Sequence, residues 1–355
     1  MESNPTMTAP TDANSVHPLV PMARPSGRRP RERLKGRQPD DAALAEVRAC
    51  IGPAPERGHV RDRLIEHLHA LNDAHRGLFE RHLVALAHEM RLPVVEVYEV
   101  ASFYHHFEVL PDDAVPPRLT LRVCDGQSCR MAGAMDLIER LPGLVGRDVR
   151  VLPAPCIGRC EQAPAALVGQ RAVPHADLDT LVAAAQGDGQ PEAPGDGAPP
   201  AIGYAAYRAA GGYGTAAAVV NGETDPEEVL RAMEDSGLRG LGGAGFPAGR
   251  KWRIVRGQVA PRLMAVNIDE GEPGTFKDRH YLERDPHRFL EGVLIAAQVV
   301  GTEAVYIYLR DEYHAARRLL QREIAALQAD PPCPLPRIEL RRGAGAYICG
   351  EESAM

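Results

Sequence analysis

Two pairs of cysteines restrict what this 355-residue chain can fold into more than any other feature does. Four residues separate Cys124 from Cys129, and three separate Cys156 from Cys160. Each pair directly follows a segment that alternates like a β-strand, so both pairs are expected in loops at strand ends. From such loops, four thiols can converge on one metal centre. The two strand segments are residues 119–123 and 149–152.

Three kinds of site remain open for these thiols. The C-x4-C and C-x3-C spacings suit a cluster of two irons bridged by sulfide. A structural zinc site is one alternative, although it prefers tighter C-x2-C spacings, and two disulfides are the other. The seven cysteines are odd in number and no secretory leader is recognised, so a reducing compartment, the cytoplasm, is expected, which argues against disulfides. The predicted metal ligands are Cys124, Cys129, Cys156 and Cys160.

Charge and hydropathy argue against two broad functions. The formal net charge of −7 does not favour a general role in nucleic-acid binding. No apolar stretch reaches the length of a membrane span. The chain ends directly after a glycine- and acid-rich motif, so a C-terminally truncated fragment is expected.

The sequence divides into four parts. Residues 1–40 form a polar, basic tail that is predicted to be disordered. Residues 41–186 combine a helical segment with a β-α-β-β-α unit, and 187–205 form a predicted Pro- and Gly-rich linker. Residues 206–355 alternate strands and helices, which predicts a parallel sheet covered by helices. The fold class is therefore multidomain α/β.

Many histidines lie in the helical segment. His67 and His69 are two residues apart and so do not share a helix face. Surface or cap positions are therefore favoured over a metal site. The histidines are His59, His67, His69, His75, His82, His88, His105 and His106.

A glycine-rich loop satisfies G-x-G-x-x-G at Gly240, Gly242 and Gly245. That fingerprint marks a Rossmann fold only where it follows a strand and opens a helix. Here it follows a predicted helix, and Pro247 with Gly249 is expected to interrupt any helix after it. Exposed backbone N–H groups that lead to Lys251 suit a phosphate, with a plain flexible loop as the alternative.

Two acidic loops each follow a predicted strand. They span residues 267–278 and 343–352, and α/β folds bind ligands at such strand ends. Simple solvated loops are the alternative. Together with the glycine-rich loop they predict a nucleotide-type site.

These motifs resemble known families. Residues 55–185, with helices that end in the run 99–104 and with all four cysteine positions occupied, resemble the thioredoxin-like [2Fe–2S] subunit of respiratory complex I. Residues 225–355 resemble its FMN- and NADH-binding flavoprotein subunit, which is shared with NAD-reducing hydrogenases and with molybdenum- or tungsten-dependent formate dehydrogenases. The resemblance implies N-terminal helices and a thioredoxin-like ferredoxin domain, then an α/β FMN-binding domain.

The resemblance also implies roles for single residues. Phe246 would stack near the nicotinamide or adenine, and Glu272 would bind the nicotinamide side. Leu241 stands where the family usually has arginine, and Ile268 replaces an alanine. Gly240, Gly242, Gly243 and Lys251 would hold the FMN phosphate and ribityl chain, and Asn267, Asp269, Glu270, Tyr347, Gly350, Glu351 and Glu352 would line the flavin.

The implied function is that of a diaphorase subunit, which moves electrons between NAD(H), FMN and iron–sulfur clusters without a catalytic side chain. The run 306–313 and the glycine loop look most like the β subunit of NAD-dependent formate dehydrogenase, whose molybdopterin-type catalytic subunit would be the partner. Alternatives are a hydrogenase or complex I-type diaphorase and a non-catalytic metal-binding scaffold. A [4Fe–4S] cluster is expected only in the missing C-terminal part, and FMN binding by this fragment is expected to be weak.

Overall fold

A computed structural model describes residues 36–190 and 200–355 of the chain. The predicted disordered tail up to residue 35 and the linker segment 191–199 lie outside the described residues. From Pro39 to Met355 the chain forms one continuous unit. Within the described ranges, no helix is both long enough and apolar enough to cross a membrane.

A helical bundle comes first. The Asp40 carboxylate accepts a hydrogen bond of 2.7 Å from the Ala43 N–H and so begins the first helix. Leucines such as Leu68 and Leu86 are completely buried between the helices, where each contributes about 1.5–3 kcal/mol. The elements are α1 (Asp41–Ile51), α2 (Leu64–His75), β1 (Leu78–Phe79), α3 (Glu80–Met90), α4 (Val94–Phe103) and β2 (Val109–Leu110).

Histidines in this bundle do not all lie at the surface. His82 is fully buried, and His69 and His106 are nearly so. The prediction of surface or cap histidines is therefore wrong for these three positions, because contacts from elsewhere in the chain cover them. His69, for example, bonds the Gly343 carbonyl oxygen at 2.6 Å.

The second module is a four-stranded mixed sheet in the order β4-β3-β5-β6. β3 and β4 are parallel, and β5 is antiparallel to both of its neighbours. Asp177 caps the last helix with a capping box to Thr180. The short strand β6 was not predicted, because three residues carry too little alternation. The elements are β3 (Leu119–Cys124), α5 (Gln127–Met131), α6 (Ala134–Arg140), β4 (Val149–Ala154), β5 (Ala166–Val168), β6 (Arg171–Val173) and α7 (Leu178–Ala185).

The third module is a three-stranded parallel sheet in the order β7-β8-β9, covered by helices. A helix begins directly after Pro247 and includes Gly249. The expected interruption there is wrong, because Pro247 stands at the N-cap, where its missing N–H is not needed and its carbonyl accepts from the Lys251 N–H at 3.0 Å. The elements are α8 (Tyr204–Ala209), α9 (Gly214–Val220), α10 (Pro226–Asp235), α11 (Ala248–Arg256), β7 (Leu263–Ile268), α12 (Lys277–Arg284), α13 (Pro286–Val300), β8 (Ala304–Leu309), α14 (His314–Ala329) and β9 (Arg337–Arg342).

Candidate functional site

The two cysteine pairs lie at the same edge of the second module. Cys124 is the last residue of β3, and Cys156 follows β4 closely. Because β3 and β4 are parallel, their carboxyl ends meet at one edge of the sheet. The sequence spacing and this register together bring the four thiols into one group.

The thiol group is shielded and closely spaced. All seven cysteines of the chain are free, and three of the four in the group are buried, with Cys160 partly exposed. The sulfurs of Cys156 and Cys160 are 3.4 Å apart. A hydrogen bond given by Cys124 lowers the pKa of Cys129, and burial raises the pKa of Cys160.

The space around these sulfurs suits an iron–sulfur cluster. A Cβ at Gly126 would lie 3.3 Å from the Cys124 sulfur, so a larger residue would crowd the site. The Gly158 N–H points to the Cys156 sulfur at 3.4 Å, a contact of the kind that tunes cluster potentials. Four thiols with backbone N–H donors beside them fit a [2Fe–2S] cluster.

A second group of loops follows the parallel strands of the third module. The Asn267 side-chain amide donates to the Gly350 carbonyl at 2.7 Å, and its oxygen accepts from the Asp269 N–H at 2.9 Å. The Tyr347 hydroxyl donates to the Glu272 carboxylate at 2.5 Å. The two acidic loops predicted from the sequence therefore contact one another at the carboxyl edge of this sheet.

Asp269 carries an unsatisfied acceptor. Its Oδ2 atom is buried and has no hydrogen-bond partner. Burial raises the pKa of its carboxyl to about 6, against an opposing effect of Arg310. A buried orphan oxygen is costly unless a donor reaches it, and a polar edge of a bound flavin is such a donor.

A cavity of about 1110 Å³ lies between β7 and the helices α11 and α13. Single-ligand pockets usually occupy about 300–1000 Å³, so this space can hold a flavin together with part of a nucleotide. Lys251, Asn267 and Glu352 line it, as do Trp252 and Tyr308. Three of the predicted cofactor-binding residues thus share one cavity.

The glycine-rich loop is exposed next to α11. The Gly240 N–H donates to the Phe246 carbonyl at 2.9 Å, which closes the loop, and positive φ angles occur at Gly243 and Gly245. Gly240, Gly242, Gly243 and Phe246 do not line the cavity described above; Lys251, one turn into α11, does. Glu351 is exposed and accepts from the Ser353 N–H at 2.9 Å.

Glu270 occupies a different place from the other predicted residues. Its carboxylate is buried and accepts from the Asp278 N–H at 3.0 Å and from the Tyr313 hydroxyl at 2.8 Å. It therefore anchors the start of α12 to the residues after β8.

The two sites touch. The Gly274 N–H, in the acidic loop after β7, donates to the Cys160 sulfur at 3.2 Å. Buried Arg310, just after β8, donates to the Cys156 carbonyl at 2.6 Å and also to the Glu270 carbonyl. The carboxyl edge of one sheet thus faces the carboxyl edge of the other.

Arg279 adds to the same junction. It lies on α12 and donates to the Gly158 carbonyl at 3.1 Å. Sequence reasoning missed both Arg279 and Arg310 as site residues. The only sequence signals were that Arg279 follows the first acidic loop and that Arg310 follows a predicted strand. Neither signal identifies the carbonyl that the arginine contacts in another module.

Two family models match different parts of the chain. Residues 51–186 match the family model described as thioredoxin-like [2Fe–2S] ferredoxin. Residues 233–355 match the model described as Nuo51 FMN-binding domain.

Several curated relatives and solved structures are similar to this chain. The mitochondrial NADH dehydrogenase [ubiquinone] flavoprotein 1 of Dictyostelium discoideum is 43% identical over 36% of this chain and 29% of its own length. The NAD-reducing hydrogenase HoxS subunit alpha of Cupriavidus necator is 31% identical over 83% of this chain and 55% of its own length. A crystal structure of an air-oxidised NAD⁺-reducing [NiFe]-hydrogenase is 32% identical over 82% of this chain and 53% of its own, with a TM-score of 0.63. The chain thus spans from under a third to just over half of the length of these relatives.

Proposed function

Because the chain joins a thioredoxin-like [2Fe–2S] ferredoxin domain to a Nuo51 FMN-binding domain, we propose that it is a diaphorase subunit that exchanges electrons with NAD(H). The observation that carries this proposal is the junction of the two sites. The sulfur of Cys160 lies 3.2 Å from the N–H of Gly274, in the loop proposed to border the flavin. This contact joins the loops proposed to hold the two centres, so the centres would lie close enough to exchange electrons.

Each part of the chain has a distinct task. Cys124, Cys129, Cys156 and Cys160 hold the cluster. When bound, FMN exchanges electron pairs with a nicotinamide and single electrons with an iron–sulfur cluster, which is why it belongs between them. The Lys251 ammonium, which lines the cavity, would neutralise the FMN phosphate, and free backbone N–H groups of the exposed glycine loop beside α11 would donate to it. Asn267, Asp269, Gly350, Glu351 and Glu352 border the flavin.

The exposed pair of Tyr347 and Glu272 faces solvent beside this edge. We assign Glu272 to the nicotinamide side and Phe246 to ring stacking with the dinucleotide. Glu270 acts as a support beneath the loop, since its carboxylate is engaged by α12 and Tyr313.

Titration of the chain with FMN tests the phosphate assignment. Lys251→Ala is expected to weaken FMN binding by about tenfold or more, because a charge-assisted hydrogen bond is lost. Arg231→Ala is the matched control, since Arg231 is an exposed cation on neighbouring α10 that does not line the cavity. Equal FMN affinity in Lys251→Ala and the control would contradict the assignment.

For the partner we propose the molybdopterin-type catalytic subunit of an NAD-dependent formate dehydrogenase in the cytoplasm. The support is the sequence resemblance of the glycine loop and the run 306–313. A hydrogenase module is the second candidate, supported by the similarity to the hydrogenase subunit over both domains. Molybdenum or tungsten in the complex that co-purifies with the chain is expected; nickel in its place would favour the hydrogenase.

A non-catalytic metal-binding scaffold is the rival from another class. It predicts metal at the four cysteines without any flavin that NADH can reduce. Iron and sulfide in equal amounts, together with flavin reduction by NADH, would exclude that rival.

A further inference from the structure

Three helices of the N-terminal bundle bring metal-type donors together, far along the chain from the four cysteines. Glu46 lies on α1, His75 is the last residue of α2 and His82 lies on α3. One donor atom from each residue lies within 4.8 Å of the other two. This group has no part in the function proposed above.

The donors already contact one another. The His82 Nε2 atom and the Glu46 carboxylate are 2.5 Å apart, and the rings of His75 and His82 are 4.3 Å apart between centroids. The Cys50 sulfur lies 3.8 Å from the Nε2 atom of His75. Cys50 is four residues after Glu46, so both side chains lie on one face of α1.

A hydrogen-bonded clamp between helices would explain only part of this arrangement. A clamp of the buried His82 with Glu46 gives no reason for a second imidazole and a thiol beside it. Arg81 lies 3.5 Å from the Glu46 carboxylate, but its guanidinium also contacts Asp112 and the Phe79 ring, so Glu46 is not its only partner.

We propose that Glu46, His75 and His82 bind a zinc ion, with Cys50 as the fourth ligand. Two imidazoles, a carboxylate and a thiolate are a ligand set that zinc accepts in tetrahedral geometry. Ligand atoms of such a site are about 3.3–3.5 Å apart. Glu46, His75 and His82, whose donor atoms lie within 4.8 Å of one another, therefore need to move by only about 1 Å to receive the ion. The Cys50 sulfur is next to the His75 ring, outside that group of three. The partly exposed carboxylate of Glu46 gives the ion a path from solvent.

The zinc ion would cross-link α1, α2 and α3, because each helix supplies at least one ligand. This bundle also supplies His69 and His106, which bond the third module at the Gly343 carbonyl and the Asp311 carboxylate. Zinc is therefore a structural ion here, and its binding should raise the temperature at which the bundle unfolds.

Equilibrium dialysis against Zn²⁺ tests the site, with bound zinc counted per chain by elemental analysis. Wild type is expected to hold one zinc more than His75→Ala or Glu46→Gln. His88→Ala is the matched control, because His88 is an exposed histidine on α3, and it should keep the wild-type count. Zinc that binds the four cysteines of the second module contributes equally to the count in every variant. It therefore does not affect the difference between variants.

A second measurement needs no variant that could misfold. Alkylation of each cysteine in wild type is followed by mass spectrometry with and without Zn²⁺. Zinc is expected to slow alkylation of Cys50 by about tenfold or more. Equal zinc counts in wild type and His75→Ala, or an unchanged alkylation rate at Cys50, would overturn the proposed four-ligand site.

Discussion

Buried histidines join the helical bundle to the third module. His69 bonds the Gly343 carbonyl at 2.6 Å, and burial lowers the pKa of its ring to about 4. His106 lies 2.6 Å from the Asp311 carboxylate, whose pKa is held well below its usual range by charges that include Arg342 and the surrounding histidines. Protonation of residues such as His69 and Asp311 therefore makes the free energy of unfolding depend on pH.

Acid is predicted to weaken the fold through His69. The unfolded chain binds a proton there near pH 6.5 and the folded chain only near pH 4, so stability falls as the pH drops between these values. His69→Gln keeps a donor for the Gly343 carbonyl but does not titrate. We expect it to reduce the slope of unfolding free energy against pH by up to about 1.4 kcal/mol per unit in that window.

Urea unfolding, followed by the fluorescence of the single tryptophan, Trp252, measures this slope. The two proteins should have similar stability above pH 7, where both side chains are neutral. An identical slope in His69→Gln between pH 4 and 6.5 would contradict the prediction.

Gly158 is predicted to tolerate no side chain. Its φ angle is +72°, and a Cβ would collide with the Tyr313 ring. Gly158→Ala should cost about 2 kcal/mol or more and lower the yield of cluster. Gly143→Ala is the control, since a Cβ there meets no atom, and it should stay within about 0.5 kcal/mol of wild type. Iron content and thermal unfolding of both variants measure these effects.

Parallel strands give the elements their functional arrangement. The carboxyl ends of β3 and β4 gather the cysteines, and those of β7, β8 and β9 gather the acidic loops. Arg310, after β8, connects the two edges because it donates to the carbonyls of both Cys156 and Glu270 and pairs with Glu312 at 3.0 Å. The side chain is almost completely buried.

Removing the Arg310 charge is predicted to loosen this junction. Arg310→Met deprives the buried Glu312 carboxylate of its arginine partner, so the free energy of unfolding should fall by about 3–5 kcal/mol. Arg318→Met is the control, because Arg318 is an exposed residue of α14 that bonds the Gln190 side chain at 3.0 Å. Thermal or urea unfolding that leaves Arg310→Met equal to this control would refute the junction role.

Local signals predicted most elements. The alternation of strands and helices in residues 206–355 predicted the parallel sheet formed by β7, β8 and β9. The helix after Pro247 was predicted wrongly, since proline and glycine were taken as breakers where proline stands at the N-cap. α12 was not predicted, because its sequence is mostly polar. Contacts with other segments stabilise it: Glu270 accepts from the Asp278 N–H, and Arg279 donates to the Gly158 carbonyl.

At the scale of the whole molecule, three modules share one junction. The sequence predicted both ligand groups, because cysteine spacing and acidic loops are local patterns. It did not predict that the groups touch, since the contact between Gly274 and Cys160 joins residues 114 positions apart. Glu270 was predicted at the flavin, and the sequence did not predict that its carboxylate also accepts from the Asp278 N–H and the Tyr313 hydroxyl.

The central claim is that the third module binds FMN where NADH can reduce it, next to the cysteines that hold a cluster. The most direct test is to add NADH, without oxygen, to the chain saturated with FMN and to follow the flavin absorption band. The account predicts that the band bleaches in wild type and in Arg231→Ala. Bound FMN whose absorption stays unchanged after excess NADH would contradict it.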